Sequence, residues 1–321
     1  MAEIAIIGAG MAGLTAGATL AAAGHTPRLY EKSGGLGGRL ATRRSPAGGL
    51  DHGAPGFTAA DPAFAALLEG AAGRGHAAPW PEGAGQLLSK TPGPAYVGLP
   101  GASGAVRAHL GTSPALTEAE IQRRAEVTAL ARSSSGGWEI TLPGGTEHAD
   151  HLLLAIPAPQ AARLIAGAGM DAGALASVSM APRLTAMVAF GAPIAPPASL
   201  APPLEKALRE PAKPWRDGGD ERWVLHADNA WSRAHIESDK DSIADALIAA
   251  FAESAGPLPP ETYRAGHRWR YALTSAPLGQ PCLWHPDRHL GLCGDWCLGD
   301  TVEHAFLSGR ALADSVIESL G

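Results

Sequence analysis

Gly8, Gly10 and Gly13 form a G-x-G-x-x-G arrangement, and Glu31 follows about 20 residues after it. These residue types at this spacing suit the binding of a dinucleotide. Gly8 permits a tight turn, Gly10 lets a pyrophosphate approach the backbone, and Gly13 allows a helix and a strand to pack closely. Unpaired N–H groups at a helix start, here around Met11 and Ala12, then face the phosphates with the positive end of the helix dipole. The Glu31 carboxylate can accept both hydroxyl hydrogens of an adenosine ribose and would repel a 2′-phosphate.

The elements that must position these residues are legible around them. Ile4 to Ile7 is a short apolar run of the kind that forms a buried parallel strand. An apolar helical stretch runs from Leu14 to Ala23, with Gly24 at the position after its end. Leu29, Tyr30 and Glu31 form a second strand. Two other glycine pairs, Gly83/Gly85 and Gly167/Gly169, follow no convincing strand and read as turns or helix ends.

A second glycine-rich turn, Gly34-Gly35-Leu36-Gly37-Gly38-Arg39, follows Glu31 and Lys32 and ends in a fixed cation. A guanidinium at Arg39 can neutralise a pyrophosphate bidentately. Together with the first motif, this turn resembles the flavoproteins that include monoamine oxidases, protoporphyrinogen oxidases and renalases. The continuation through Ala41-Thr42-Arg43-Arg44 to Asp51-His52-Gly53-Ala54 is similar to the renalase branch. The resemblance implies FAD, held by Gly8, Gly10, Met11, Ala12, Gly13, Glu31, Lys32, Gly38 and Arg39; no cysteine matches a flavin-attachment motif, so non-covalent binding is expected. It also implies that the backbone at Gly53 and Ala54 runs past the flavin.

Composition narrows the remaining possibilities. The 321 residues are 45% hydrophobic and 17% charged, enough to bury a substantial core. A net charge of −6 argues against a nucleic-acid partner. No run of transmembrane length appears, and no Lys or Arg precedes Arg28, so neither a membrane span nor a secretory leader is expected; a cytoplasmic location is the default. Cys282, Cys293 and Cys297 suit neither a disulfide framework nor a zinc site, and no metal is expected.

Further along, a short helix is expected near Pro62–Gly70. Residues 96 to 111 read as strand, turn and helix, and residues 123 to 156 as a three-stranded meander of Arg124–Ala131, Trp138–Leu142 and Leu152–Ile156. By resemblance, Val127 contacts the adenine through its backbone. Pro157 either simply ends a strand or lines the flavin. Strands at Leu184–Phe190, Arg222–His226 and Tyr263–Tyr271 with a helix at Ala244–Ala252 read as a second domain, with a Pro-rich loop between the first two strands.

Six of the eight Trp residues fall between 215 and 296, which suits either a wall for a flat ligand or a Trp-rich core. Trp231 and Trp269, in segments resembling renalase, are the candidates for that wall, with His226 and Arg270 beside them; His226 also reads as an ordinary structural histidine. Arg268 or Arg270 is placed to meet phosphates of a substrate. At the end of the chain, Gly294-Asp295-Trp296 and a helix opening at Thr301-Val302-Glu303 are similar to the closing motif of the same flavoproteins. There Asp295 would bind the ribityl or pyrophosphate end, and the helix start at Val302 would approach the flavin.

The expected fold is α/β: a Rossmann-like FAD-binding domain with an inserted substrate domain of mixed β-sheet plus helix. The boundaries are 1–60, 96–160 and 278–321 for the first, and 61–95 with 161–277 for the second. With no second dinucleotide domain and no Cys-x-x-Cys pair, electrons must come directly from a substrate stacked on the flavin and leave to an acceptor such as O2. The resemblance implies oxidation of 1,2- and 1,6-dihydro isomers of NAD(P) with formation of hydrogen peroxide. A flavin amine oxidase is the alternative, disfavoured because Lys206, Lys213 and Lys240 sit in surface-like polar contexts. A non-catalytic FAD-binding or redox-sensing protein is the alternative of another class.

Overall fold

A computed structural model describes residues 2–81, 93–112, 116–134, 136–216 and 218–321 of the chain. The Gly83/Gly85 pair lies outside the described residues. The opening unit is strand Glu3–Ile7, helix Met11–Ala22 and strand Thr26–Glu31. The two strands pair in parallel, and both lie in a six-stranded sheet. Across that sheet the order is Leu283–His285, Leu290–Leu292, His151–Leu154, Glu3–Ile7, Thr26–Glu31 and Ile121–Arg123. Every pairing is parallel except the outermost one, between Leu283–His285 and Leu290–Leu292.

The central strands are apolar on both faces because both faces are covered. Ile4 and Ile6 pack into one core with Leu14, Leu20, Leu312 and Val316, while Ala5, Ile7, Leu152 and Leu154 pack into a second. The helix Met11–Ala22 is thus sandwiched against the C-terminal helix Val302–Leu320. The two helices touch so closely that a Cβ on Gly309 would lie 2.2 Å from the Ala12 carbonyl oxygen. Phe64 and Leu68 of helix Pro62–Gly73 join this same core, so part of the 61–95 segment packs with the nucleotide-binding half.

The meander differs from its expected form. Its third strand is Gly145–Ala149, paired to Trp138–Leu142, which in turn pairs with Ala129–Arg132. The apolar run from Leu152 belongs instead to the parallel sheet, between Glu3–Ile7 and Leu290–Leu292. An unbroken run of leucines needs cover on both faces, which only the centre of the larger sheet provides. The pair Gly167/Gly169 does end a helix, Ala158–Gly167, with Gly169 at positive φ.

The second part of the chain builds a four-stranded antiparallel sheet ordered Leu204–Arg209, Glu221–Ala227, Ser179–Phe190 and Glu261–Ala276. The three expected strands are present and longer than expected. Leu204–Arg209 is an added edge strand where the Pro-rich loop was expected to continue. One face of this sheet presents Leu184, Ala186, Val188, Phe190 and Leu225 to Ile243, Leu247 and Phe251 of helix Lys240–Ala255. Alternation along the strands sends Arg183, Thr185 and His226 to the opposite face.

A hairpin of Thr42–Ser45 and Gly48–Asp51 is held to this second sheet by a buried charge cluster. Lys213 Nζ donates to Asp51 Oδ2 at 3.0 Å and to Glu210 Oε1 at 2.6 Å. Arg216 donates to the same two carboxylates and to the Gly98 carbonyl. Asp51 also accepts from Thr42 Oγ1 and the Ala102 N–H. Burial pushes the Glu210 carboxyl up, whereas Lys213 and Arg216 outweigh burial at Asp51 and hold it at about 2.

Candidate functional site

One cavity of about 2100 Å³ runs along the carboxyl ends of the parallel strands and under the exposed face of the antiparallel sheet. Single-ligand pockets usually measure roughly 300–1,000 Å³, so this one has room for a dinucleotide and a second molecule. Of the expected cofactor residues, Gly8, Gly10, Met11, Ala12, Glu31, Lys32, Gly38, Arg39, Gly53, Ala54, Val127, Pro157, Gly294, Asp295 and Val302 all line it.

Gly13 does not; it lies behind the turn. A Cβ there would stand 2.0 Å from the Gly8 carbonyl oxygen, so its role is the close packing of helix on turn. Gly8 adopts φ +105°, open to glycine without strain. Around Gly10 the space is free, the nearest heavy atom to an added Cβ being the Gly37 carbonyl oxygen at 3.9 Å. The helix that starts at Met11 has no side-chain cap, leaving its first N–H groups for a ligand.

Glu31 is buried and already held in place. Its two oxygens accept from the Ala9 N–H at 3.0 Å and the Ser33 N–H at 2.8 Å, each leaving lone pairs for ribose hydroxyls. Arg39 makes a bidentate pair with Asp295, and one of its nitrogens also donates to the Ala272 carbonyl. The expected phosphate cation and the expected ribityl carboxylate are therefore one unit. The Gly294–Trp296 turn is fixed by Trp296 Nε1 donating to the Ile156 carbonyl and by the Gly294 N–H donating to Ser308 Oγ. Thr301 caps the last helix, and Glu303 accepts from the N–H groups of Ala60 and Asp61. Free glycine backbone, a held carboxylate, a guanidinium and two helix starts on one cavity wall fit a dinucleotide cofactor.

Beyond this cradle the wall is aromatic. Trp269 stacks on His52 with ring centroids 5.3 Å apart and donates from Nε1 to the His52 carbonyl at 2.8 Å. His267 stands edge-on to His52 at 4.7 Å. Burial lowers His52 to about 4 and His267 to about 3, so both rings are neutral at pH 7. A Cβ on Gly53 would stand 1.9 Å from the Arg39 carbonyl oxygen and 3.4 Å from the Trp269 ring, so only glycine passes between them.

The expected substrate residues divide. His226 lines the cavity, buried and bonded through Nδ1 to Thr185 Oγ1 at 3.0 Å; burial pushes its pKa well below the usual value. Trp269 and Arg270 also line it, but Arg270 is paired to Glu237, as is Arg268. Trp231 does not reach the cavity. Its short helix turns the ring onto His235, 4.3 Å away, and into the core behind the sheet. Among the other clustered tryptophans, Trp296 lines the cavity, Trp223 is core, Trp284 stacks near His151 and Trp215 is exposed.

The lysine contexts also differ from expectation. Lys213 is fully buried in the charge cluster, and Lys206 lines the cavity, so neither is a surface residue. Sequence reading also missed His52 and His267 as wall residues, and Arg183, Glu205 and Lys206 on the roof. The H-x-W spacing of His267 and Trp269, which puts both on one strand face, was the available signal for the first pair. No local signal marks the roof residues.

The fold and cavity define an α/β protein with a Rossmann-like dinucleotide-binding region roofed by an antiparallel sheet. Residues 6–70 match the model of an NAD(P)-binding Rossmann-like domain. Across the whole chain the fold is shared with a protein assigned as a protoporphyrinogen oxidase from Exiguobacterium sp. 255-15, at TM-score 0.74 and 14% identity over 98% of each chain. A triple mutant of a putrescine oxidase matches at TM-score 0.69 and 12% identity over 99% of each chain. The cyclohexylamine oxidase of Brevibacterium oxydans IH-35A matches at 0.66 and 12%, again over 99% of each chain. At these identities the likeness is one of fold.

Proposed function

We propose that the chain is an FAD-dependent oxidase of the renalase-like kind, holding FAD non-covalently and oxidising 1,2- and 1,6-dihydro isomers of NAD(P) to NAD(P)+. The observation that carries this reading is the continuity of one cavity, from the cradle of Gly10, Glu31 and Arg39 to the wall of Trp269, His52 and His267. Bound FAD would supply two-electron acceptor chemistry, with O2 as the final acceptor; Gly10, Glu31 and Arg39 would hold its nucleotide end. The fold shared with several named oxidases supports the oxidase part of the reading.

The residues of the chain bind and orient. Trp269 offers an indole face to a flat donor ring, and His52 and His267 offer neutral nitrogens. The donor becomes aromatic as it loses hydride, so no strong base is required, in keeping with neutral imidazoles at this wall. Charge also favours an anionic donor. Among the described lining residues, nine Arg and Lys side chains face five Asp and Glu, although the whole chain carries a net −6.

An amine oxidase is the second reading, favoured by the names of two fold neighbours and by the presence of Lys206 on the cavity wall. It requires a cationic amine to enter a cavity with surplus positive charge. Anaerobic stopped-flow mixing separates the two. Rapid bleaching of the flavin band by 1,2- and 1,6-dihydro-NAD, with NAD+ formed and slow bleaching by ordinary NADH, is the expected result. Bleaching by amines but by neither isomer would overturn it in favour of the second reading. A flavin that no donor reduces would leave a binding or sensing role.

A further inference from the structure

We infer that the roof sheet carries a phosphate subsite, in which Arg183 and Lys206 bind a phosphate of the electron donor. The inference rests on the proposed oxidase reading and names the part of the donor that the roof recognises.

Strand register assembles the subsite. Lys206 pairs with His226, His226 with Thr185, and Thr185 with His267, so four strands place these residues in one row across the roof. Arg183 stands two residues from Thr185 on the same face. Register shifts occur at Leu204/Lys206 and at Ala181/Arg183, where an irregularity re-aims the side chain that follows it. Both cations line the cavity.

Arg183 is 7% exposed. One terminal nitrogen donates to Glu205 Oε2 at 2.7 Å and, at 3.4 Å, to Asn229 Oδ1. Its Nε is buried without a partner. Glu205 and Asn229 engage only one end of the guanidinium, which keeps further N–H donors for an anionic oxygen in the cavity. Burial and the neighbouring Arg183 both lower the Lys206 pKa, against the pull of Glu205 and Asp300, so the ammonium gains from an added anion. His226 is neutral, and when the Thr185 hydroxyl donates to Nδ1 its proton sits on Nε2, making it a further donor.

The test uses the flavin-loaded protein and two probes that differ by one phosphate, nicotinamide riboside and nicotinamide mononucleotide. Binding is followed by calorimetry and by the flavin difference spectrum. The mononucleotide is expected to bind about tenfold more tightly or better, and inorganic phosphate is expected to compete with it but not with the riboside. Arg183→Gln and Lys206→Gln should each reduce the preference to about threefold or less, with riboside affinity and flavin content retained. Equal affinity of the two probes for the unmodified protein would overturn the subsite while leaving the oxidase reading intact, and so would a preference that survives both substitutions. That first comparison needs no variant, so a misfolded Arg183→Gln protein does not remove the test. A protein that holds no flavin, or that binds neither probe, overturns the oxidase reading and the subsite with it.

Discussion

Arg39 and Asp295 form a bidentate ion pair, 2.8 Å at one oxygen and 2.5 Å at the other, joining the glycine-rich turn near the N-terminus to the turn before the last helix. Asp295 is buried, while the Arg39 side chain stays 30% exposed toward the cavity. The carboxylate thus orients the guanidinium, whose remaining edge is available to a ligand phosphate. Arg39→Ala leaves a buried carboxylate facing that phosphate. Truncating one partner of a buried ion pair costs roughly 2–5 kcal/mol, so flavin retention should fall at least about thirtyfold. The ratio of flavin to protein absorbance after dialysis measures it. Arg39→Lys should rescue only part, because an ammonium cannot make the two-pronged contact.

Glu31→Gln tests the other end of the cradle. The carboxylate accepts two backbone N–H groups. An amide has one oxygen, so its NH2 must face either an N–H or the ligand. A drop of about ten- to a hundredfold in FAD affinity is expected, corresponding to roughly 1–3 kcal/mol. Fluorescence titration of the apoprotein measures it; unchanged affinity would remove Glu31 from the cradle.

The buried cluster under the hairpin predicts stability. Lys213→Met leaves Asp51 and Glu210 sharing Arg216 alone, in a place where none of the three side chains meets solvent appreciably. A loss of about 3–5 kcal/mol in unfolding free energy is expected, measured by denaturant titration. The loss should shrink when Asp51→Asn is added, since the two positions share one network.

Acid sensitivity follows from His109. The ring is buried between Phe306 and Thr15, and burial lowers its pKa to about 4. The unfolded chain binds a proton near pH 6.5 that the folded chain refuses until about pH 4. The contribution is therefore fully present above pH 6.5 and is lost as pH falls toward 4, by roughly 3 kcal/mol. In His109→Gln, unfolding free energy should depend less steeply on pH across that window. Parallel curves for the two proteins would contradict the assignment.

Much of the cofactor cradle is local chemistry and could be read directly. A strand, a glycine turn, a helix and a carboxylate at set spacing leave few other arrangements: Gly8, Gly10 and Glu31 line the cavity, and Gly13 packs behind the turn. The pairing of Arg39 with Asp295 was not readable, because 256 residues separate the two and only the tertiary fold brings them together. Trp231 and Trp269 looked equivalent along the chain. A short helix capped by Asp228 turns one ring onto His235, whereas strand alternation points the other into the cavity.

Sequence alone determined the opening strand–turn–helix–strand unit and its part of the cofactor wall, since these depend on periodicity and on residues within about 30 positions of one another. Tertiary structure decided the roof and the buried charges. Lys213 reads as a surface lysine until Asp51, distant in sequence, covers it. Lys206, His226, Thr185 and His267 share a row only because four strands pair in one register; a slip of one residue would turn any of them to the opposite face. Register is set by core packing between distant segments, and no local pattern encodes it.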